Sequence, residues 1–256
     1  AAVYNFSEIL YATIANNASQ TYGSIYSNSG TIMASIIWGN TSANWQYPIF
    51  FQSAGDVLYS AVQGGWSGNG TFMIDSRNTD AYGPHFVEPT TVSGVSSQQG
   101  NWSIEAASVC IDKSIFTQHI PSTDIEGSCR VIGENPDIGA YEQGVSAYDT
   151  LQLQRIYVTT LGEGDGSSWD KAMNNIHKAL FLADYLKIPE VWVAQGTYVT
   201  SEVRDRSVYF TLRTGVSLYG GFKGNETFLQ ERNPGAFPSI LSGDIGRLER
   251  EYDDAY

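Results

Sequence analysis

Ala1-Ala2-Val3-Tyr4 returns as Gly23-Ser24-Ile25-Tyr26, and Ile14-Ala15-Asn16-Asn17 returns as Ile37-Trp38-Gly39-Asn40. The offsets carry position 1 to position 23 and position 14 to position 37, a period in the low twenties. Self-similarity at a period of this size is the signature of a repeat architecture. Each copy is a short β-branched run closed by Asn or Gly, too short to bury its own apolar face, so it needs a neighbour stacked on it. The first copy starts at residue 1, which places the start of the sequence inside a repeat.

The remainder agrees with an all-β chain rich in turns. Gly occurs 26 times and Tyr 16 times, and only 16% of residues are charged. The net charge of −13 opposes nucleic acid or an anionic membrane surface as a partner. No run of about 18 apolar residues is present to span a bilayer. Thr31–Trp38 reads as a strand, and Asn17, Asn28 and Asn40 fall at the ends of strand-like runs. Asn tolerates left-handed backbone at corners and can bond to the copies above and below. Residues 61–100 are irregular, and Gly64-Gly65-Trp66-Ser67-Gly68-Asn69-Gly70 lacks the G-K-[ST] ending and following helix of a phosphate loop.

A second beginning follows a polar, repeat-free linker at residues 143–154. Residues 155–160 predict a strand, and residues 162–166 a Gly-rich turn. Ser167 and Ser168 then precede an apolar stripe of helical spacing, Trp169, Ala172, Met173, Ile176, Ala179, Leu180, Ala183 and Leu186. The spacing predicts one helix from Trp169 to about Leu186, with Asp170 completing a capping box and the stripe packed on a β core. Val191-Trp192-Val193, Val216-Ser217-Leu218 and Ile240-Leu241 are predicted strand cores. The steps from Val193 to Leu218 and from Leu218 to Leu241 lie close to the period of the opening repeat.

The segments Asp165–Trp169, Val191–Tyr198, Val216–Phe222 and Ile240–Ile245 resemble the start of bacterial right-handed parallel β-helix repeat proteins of the polymorphic outer-membrane-protein-like type. Val3–Asn5, Thr13–Asn17, Ser35–Asn40 and the closing Asp137-Ile138-Gly139-Ala140-Tyr141-Glu142 are similar to the end of the same family. The resemblance implies an all-β, right-handed parallel β-helix (solenoid) with one capping α-helix. It divides the chain into end-type rungs and a closing segment (1–142), a linker (143–154), and a start-type cap, helix and first rungs (155–256). It carries no particular activity. Here the ending precedes the beginning. Three arrangements account for that order: a stretch of a longer tandem protein, a complete subunit whose raw ends mate with neighbours, or a permuted helix in which residues 155–250 stack against residues 1–60.

Residues with chemical potential are few. Glu163 with Asp165 forms a weak oxygen-ligand candidate for Ca²⁺, weighed against a structural turn. Asp75 with Asp80 and Asp253 with Asp254 are the other acidic groupings, and His85, His119 and His177 are the only histidines. No Ser or Cys lies in a recognisable nucleophile setting, and no zinc spacing or cofactor motif is present. The separation of Cys110 and Cys129 is compatible with a disulfide that closes a loop. Trp45, Tyr47 and Trp66 are the candidates for contact with a glycan or a partner, because exposed aromatic faces stack on sugars and proteins; packing inside a core would use the same residues. Six N-x-[ST] sequons, at Asn5, Asn17, Asn40, Asn69, Asn101 and Asn225, agree with exposed loops.

The expectation is a non-enzymatic extracellular or cell-surface protein of adhesin or fibre type. It would associate with itself or with neighbouring β-helix segments through open edges at Ala1, Ala2, Val3, Tyr4, Ile240 and Leu241, without nucleic acid, membrane insertion or cofactor. The alternative is a polysaccharide-binding or polysaccharide-cleaving β-helix protein, which needs convergent carboxylates with Arg or Lys along one face.

Overall fold

The computed structural model describes residues 3–5, 7–20, 23–43, 48–53, 55–68, 70–74, 77–78, 82–90, 100–144, 153–200 and 209–244. It is mostly β, with parallel sheets, and has one α-helix among the described residues. The chain divides into two compact units, Ala1–Ser146 and Ala147–Tyr256.

In the first unit each sheet takes one strand from each successive copy of the repeat. Sheet I is β1 (Val3–Asn5), β5 (Ile25–Ser27) and β9 (Ile49–Phe51). Sheet II is β2 (Glu8–Leu10), β6 (Gly30–Met33) and β10 (Gly55–Leu58). Sheet III is β3 (Thr13–Ala15), β7 (Ile36–Trp38), β11 (Ala61–Gln63) and β12 (Phe72–Ile74). A short pair, β4 (Ala18–Ser19) and β8 (Thr41–Ser42), completes the first two copies. All these pairings are parallel, and Val3 faces Ile25, Tyr4 faces Tyr26 and Ile14 faces Ile37. These are the residue pairs that the sequence repeat aligns.

Corners recur with the same step. Tyr11, Ala34 and Tyr59 take positive φ between sheets II and III, and Asn16, Gly39 and Gly64 do so after sheet III. Non-Gly residues there carry strain of order 1 kcal/mol each, which neighbouring copies offset by bonding across the corner. Tyr11 N donates to Met33 O and Ala34 N to Leu58 O. A buried serine follows the second and third of these corners. Ala12 N donates to Ser35 Oγ and Ser35 N to Ser60 Oγ, both at 3.1 Å, while the two hydroxyls donate back to Met33 O and Leu58 O. Ser35→Ala leaves a backbone N–H without its acceptor, so thermal melts should show a loss of about 1–2 kcal/mol. At the second corner, Asn17 Nδ2 donates to Asn40 Oδ1 at 2.9 Å, and Asn40 Nδ2 to Ile14 O at 2.6 Å. The expected Asn ladder between copies is therefore present at these two positions.

The irregular Gly-rich segment has a definite role. Ala61 pairs with Phe72, so this return takes about half the chain that separates Ala61 from its other partner, Ile36. A parallel return normally needs about a dozen residues or more. Gly64, Gly65 and Gly70, at φ +80°, +86° and +63°, allow the shorter path.

From β3 to β11, sheet III is buried on both faces, whereas on β12 Met73 is exposed. Ile14, Ile37 and Val62 join Ile25, Ile32, Ile49 and Val57 in the core between the sheets. Ile36, Trp38, Ala61 and Ile74 form a second core with Phe86, Ile104, Cys110 and Ile138 on the other face. This is why Ile36-Ile37-Trp38 is an unbroken apolar run: a strand buried on both sides loses its alternation. The covering layer is an antiparallel pair, β13 (Phe86–Glu88) and β14 (Asn101–Ile104), and residues 105–144, which contain no named strand or helix. The closing segment lies against this face through Gly139, where an added Cβ would sit 2.8 Å from Ile36 Cδ1 and 2.9 Å from Thr13 Oγ1.

The second unit has one sheet of β15 (Ile156–Val158), β16 (Glu190–Ala194) and β18 (Ser217–Phe222), and a second of β17 (Gly196–Val199) and β19 (Ser239–Ser242). Helix α1 is shorter than the stripe predicts, Ile176–Tyr185. Trp169–Lys171 is a separate 3₁₀ turn, and Ala172 returns to extended backbone at φ −60°, ψ 148°. The cause is competition from β15: Met173 N donates to Tyr157 O and Thr159 N to Met173 O, so this segment pairs with a strand. Asn175, rather than Ser167 or Ser168, caps α1 by accepting from Lys178 N. Ile176, Ala179, Leu180, Leu182 and Ala183 are buried, and α1 packs on β15 and β16.

The repeat spacing in this unit also differs. Val191 faces Leu218, but Ile240 and Leu241 face Thr197 and Tyr198, not β18. Gln195 alone separates β16 from β17, which opens on Gly196 at φ +145°. Their next copies are β18 and β19, with the loop 223–238 inserted between them. Glu226 holds that loop by accepting from the N–H groups of Lys223, Gly224 and Asn225, and Glu231 accepts from Thr227 and Phe228.

Candidate functional site

Trp66 is half-buried at the edge of the inter-sheet core, its ring 5.7 Å from Phe51 at 59°. Its indole takes part in packing rather than standing free as a platform. Trp45, Tyr47, Ala1 and Ala2 lie outside the described residues. Val3 and Tyr4 occupy β1, whose one paired neighbour among the described residues is β5.

Glu163 and Asp165 sit in the predicted turn. The Asp165 carboxylate accepts from Ser167 N at 2.9 Å, as in a structural Asx turn. Partial burial raises its pKa, but hydrogen bonds from Ser167 and the charge of Lys171 outweigh that and hold it below the usual value. Among the described residues no group of three or more His, Cys, Asp or Glu is placed to hold a metal ion.

The histidines serve separate local roles. His177 stacks on Phe210 at 5.0 Å and 15° and pairs with Thr200 O at 3.0 Å. Burial holds its pKa below the ordinary value, with the Thr200 bond opposing. His119 Nδ1 lies 3.3 Å from Glu8 Oε2, both exposed. His85 is at a left-handed corner, φ 49°. Asp75, Asp80, Asp253 and Asp254 fall outside the described residues.

Cys110 and Cys129 are both buried, and no disulfide joins them in this structure. Cys110 belongs to the core outside sheet III, whereas Cys129 Sγ lies 3.4 Å from Val131 O, so local packing directs each sulfur to its own partner. Burial pushes the Cys110 thiol up to about 12, which leaves little thiolate to react.

The main polar constellation is one the sequence reading did not assemble. Arg130, with no exposed surface, lies among Asp124, Asp137 and Glu142, all buried. Its Nη2 donates to Asp137 O and Gly139 O, both at 2.7 Å, and its guanidinium carbon lies 4.8 Å from the centre of the Tyr11 ring. The three carboxylates accept backbone N–H groups. Asp124 takes those of Glu126, Ser128 and Glu142, Asp137 those of Asp112 and Gln143, and Glu142 those of Ile132 and Asp137. Residues 105–144 lack a strand ladder, and these side chains replace it. Asp137 and Glu142 are the two ends of the closing motif, so the acidic positions were visible in sequence; the distant Arg130 and Asp124 had no periodic signal. By accepting these backbone N–H groups, the carboxylates brace the segment from within.

The exposed apolar edge lies in the second unit. Tyr198 is 5% exposed, whereas Leu241, facing it across the sheet, is 42% exposed, and Ile240 is 49% exposed. Among the described residues β18 and β19 each carry a paired strand on one side only. A comparison with known protein families, curated protein sequences and solved structures finds no match to this chain.

Proposed function

We propose that this chain is a non-enzymatic structural or adhesive protein of the cell surface or extracellular space. It is built from right-handed parallel β-helix rungs and associates with other rungs through open strand edges. The parallel registers Val3↔Ile25↔Ile49 and Ile14↔Ile37, with corners recurring beside them, support the solenoid reading. The right hand follows the strong preference of parallel β crossovers. The carrying observation for association is Leu241, which continues the column of buried Tyr198 yet stays 42% exposed on β19, a strand that among the described residues is paired on one side only. Such an edge is a template for a further strand, and the occupant proposed is another β-helix rung. Glycans are the second partner class, with the sequence candidates Trp45 and Tyr47 as contacts.

Sedimentation velocity across a range of concentrations tests association. The wild-type chain should grow in size with concentration, and Leu241→Glu should weaken that growth about tenfold or more, since one buried Leu is worth about 1.5–3 kcal/mol. A monodisperse monomer at high concentration would overturn the reading.

A further inference from the structure

The buried cluster around Arg130 does more than tie a loop. Residues 108–143 are held to the strands at a few polar points: Gly139 N donates to Ala34 O, Ala140 N to Thr13 Oγ1, and Tyr11 Oη donates to Ile115 O while accepting from Thr117 N. Their apolar side chains, Cys110 and Ile138, close over Ile36 and Trp38 of sheet III. The interior of this clasp contains three carboxylates and one guanidinium, all buried. Fully ionised, that set leaves two uncompensated negative charges away from water, a costly state that retention of a proton relieves.

From this arrangement we infer that residues 108–143 form a pH-governed clasp, closed while the Asp137–Glu142 pair holds a proton and released from the outer face of sheet III when that proton is lost. The groups facing the pair are Arg130, Asp112 and Asp124 within the clasp and Tyr11 from the corner before β3, with the Cys110 thiol nearby. Tyr141 and Glu126 lie further out, beside Asp124, and the exposed His119–Glu8 contact marks the clasp edge. Burial raises Glu142, and the neighbouring Asp137 carboxylate raises it again, to about 8; two backbone bonds and Arg130 only partly oppose this. Burial likewise raises Asp137 to about 6. A raised carboxyl value means that the closed form binds the proton more tightly than the open form. Closure is therefore fully favoured below the ordinary carboxylate range and is lost as pH rises through about 8. Release would uncover Trp38, Phe86 and Ile104, an apolar face hidden at lower pH.

The test uses the full chain. Under single-hit conditions, which keep a first cut at the exposed Lys113 from opening the clasp, trypsin cuts after Arg130 only when the clasp opens, because Arg130 has no exposed surface, and the exposed Lys223 serves as the reference site. The ratio of cleavage at Arg130 to cleavage at Lys223 should rise at least tenfold between pH 6.5 and 9, and Glu142→Gln should abolish the rise. In parallel, the carboxyl carbon resonance of Glu142 in the wild-type chain should titrate above pH 6.5. A flat cleavage ratio, an unchanged rise in Glu142→Gln, or a Glu142 titration below pH 5 would each overturn the inference. Should Glu142→Gln fail to fold, the wild-type titration and cleavage ratio decide it.

Discussion

Arg130→Ala should lower the stability of the first unit by about 3–5 kcal/mol, the usual cost of removing one partner from a buried charged set. The substitution leaves Asp137 O and Gly139 O without their 2.7 Å donor and leaves three buried carboxylates without their buried cation. It also removes the stack on Tyr11, which anchors the clasp through Ile115 and Thr117. Thermal unfolding at neutral pH should register a drop of about 10 °C for a unit of this size. A shift of about 1 °C would mean that the guanidinium is not the centre of the clasp. Arg130→Met, of similar length and without charge, should not restore stability at neutral pH, because the loss arises from the carboxylates left behind.

Trp192→Ala should have a comparable effect in the second unit, about 3–5 kcal/mol by large-to-small truncation in a core. The Trp192 side chain is 1% exposed and stacks on Phe222 at 4.5 Å and 11°. Arg155 lies 4.1 Å over the Trp192 ring, and the indole Nε1 donates to Glu190 at 2.8 Å. Trp169 and Tyr157 close the cluster, and Trp169 is fixed by donating to Glu226 O. Truncation removes the ring that these neighbours share. The near-ultraviolet circular dichroism of the aromatic cluster should collapse before the α1 signal is lost. Retention of that signal in Trp192→Ala would show that the ring is peripheral.

Much of the β pattern was legible because repeats encode register directly. Aligning Tyr4 with Tyr26 and Ile14 with Ile37 in sequence aligned them across sheets I and III. The corner Asn residues were readable for the same reason, since one residue type repeats at one geometric position. Legibility failed where local signals competed with pairing. The stripe from Trp169 favours helix locally, but Met173 finds a strand partner in Tyr157, so the helix begins at Ile176. Spacing alone set Leu241 one step after Leu218, whereas the inserted loop at 223–238 hands it to Tyr198. The polar cluster was half legible. Asp137 and Glu142 stand out in a motif, but Arg130 and Asp124 join them through a chain path without periodicity, which no pattern search along the sequence can close.

The sequence by itself determined the class of structure: short β-branched runs recur at a period in the low twenties and must stack in parallel, because no single run can bury its own face. Only the tertiary structure decided what covers the outer face of sheet III and what holds that cover in place. Those choices depend on burial. A carboxylate such as Glu142 becomes an acceptor for Ile132 and Asp137, and a neighbour of Arg130, only after residues 105–144 fold back against strands that lie far earlier in the chain.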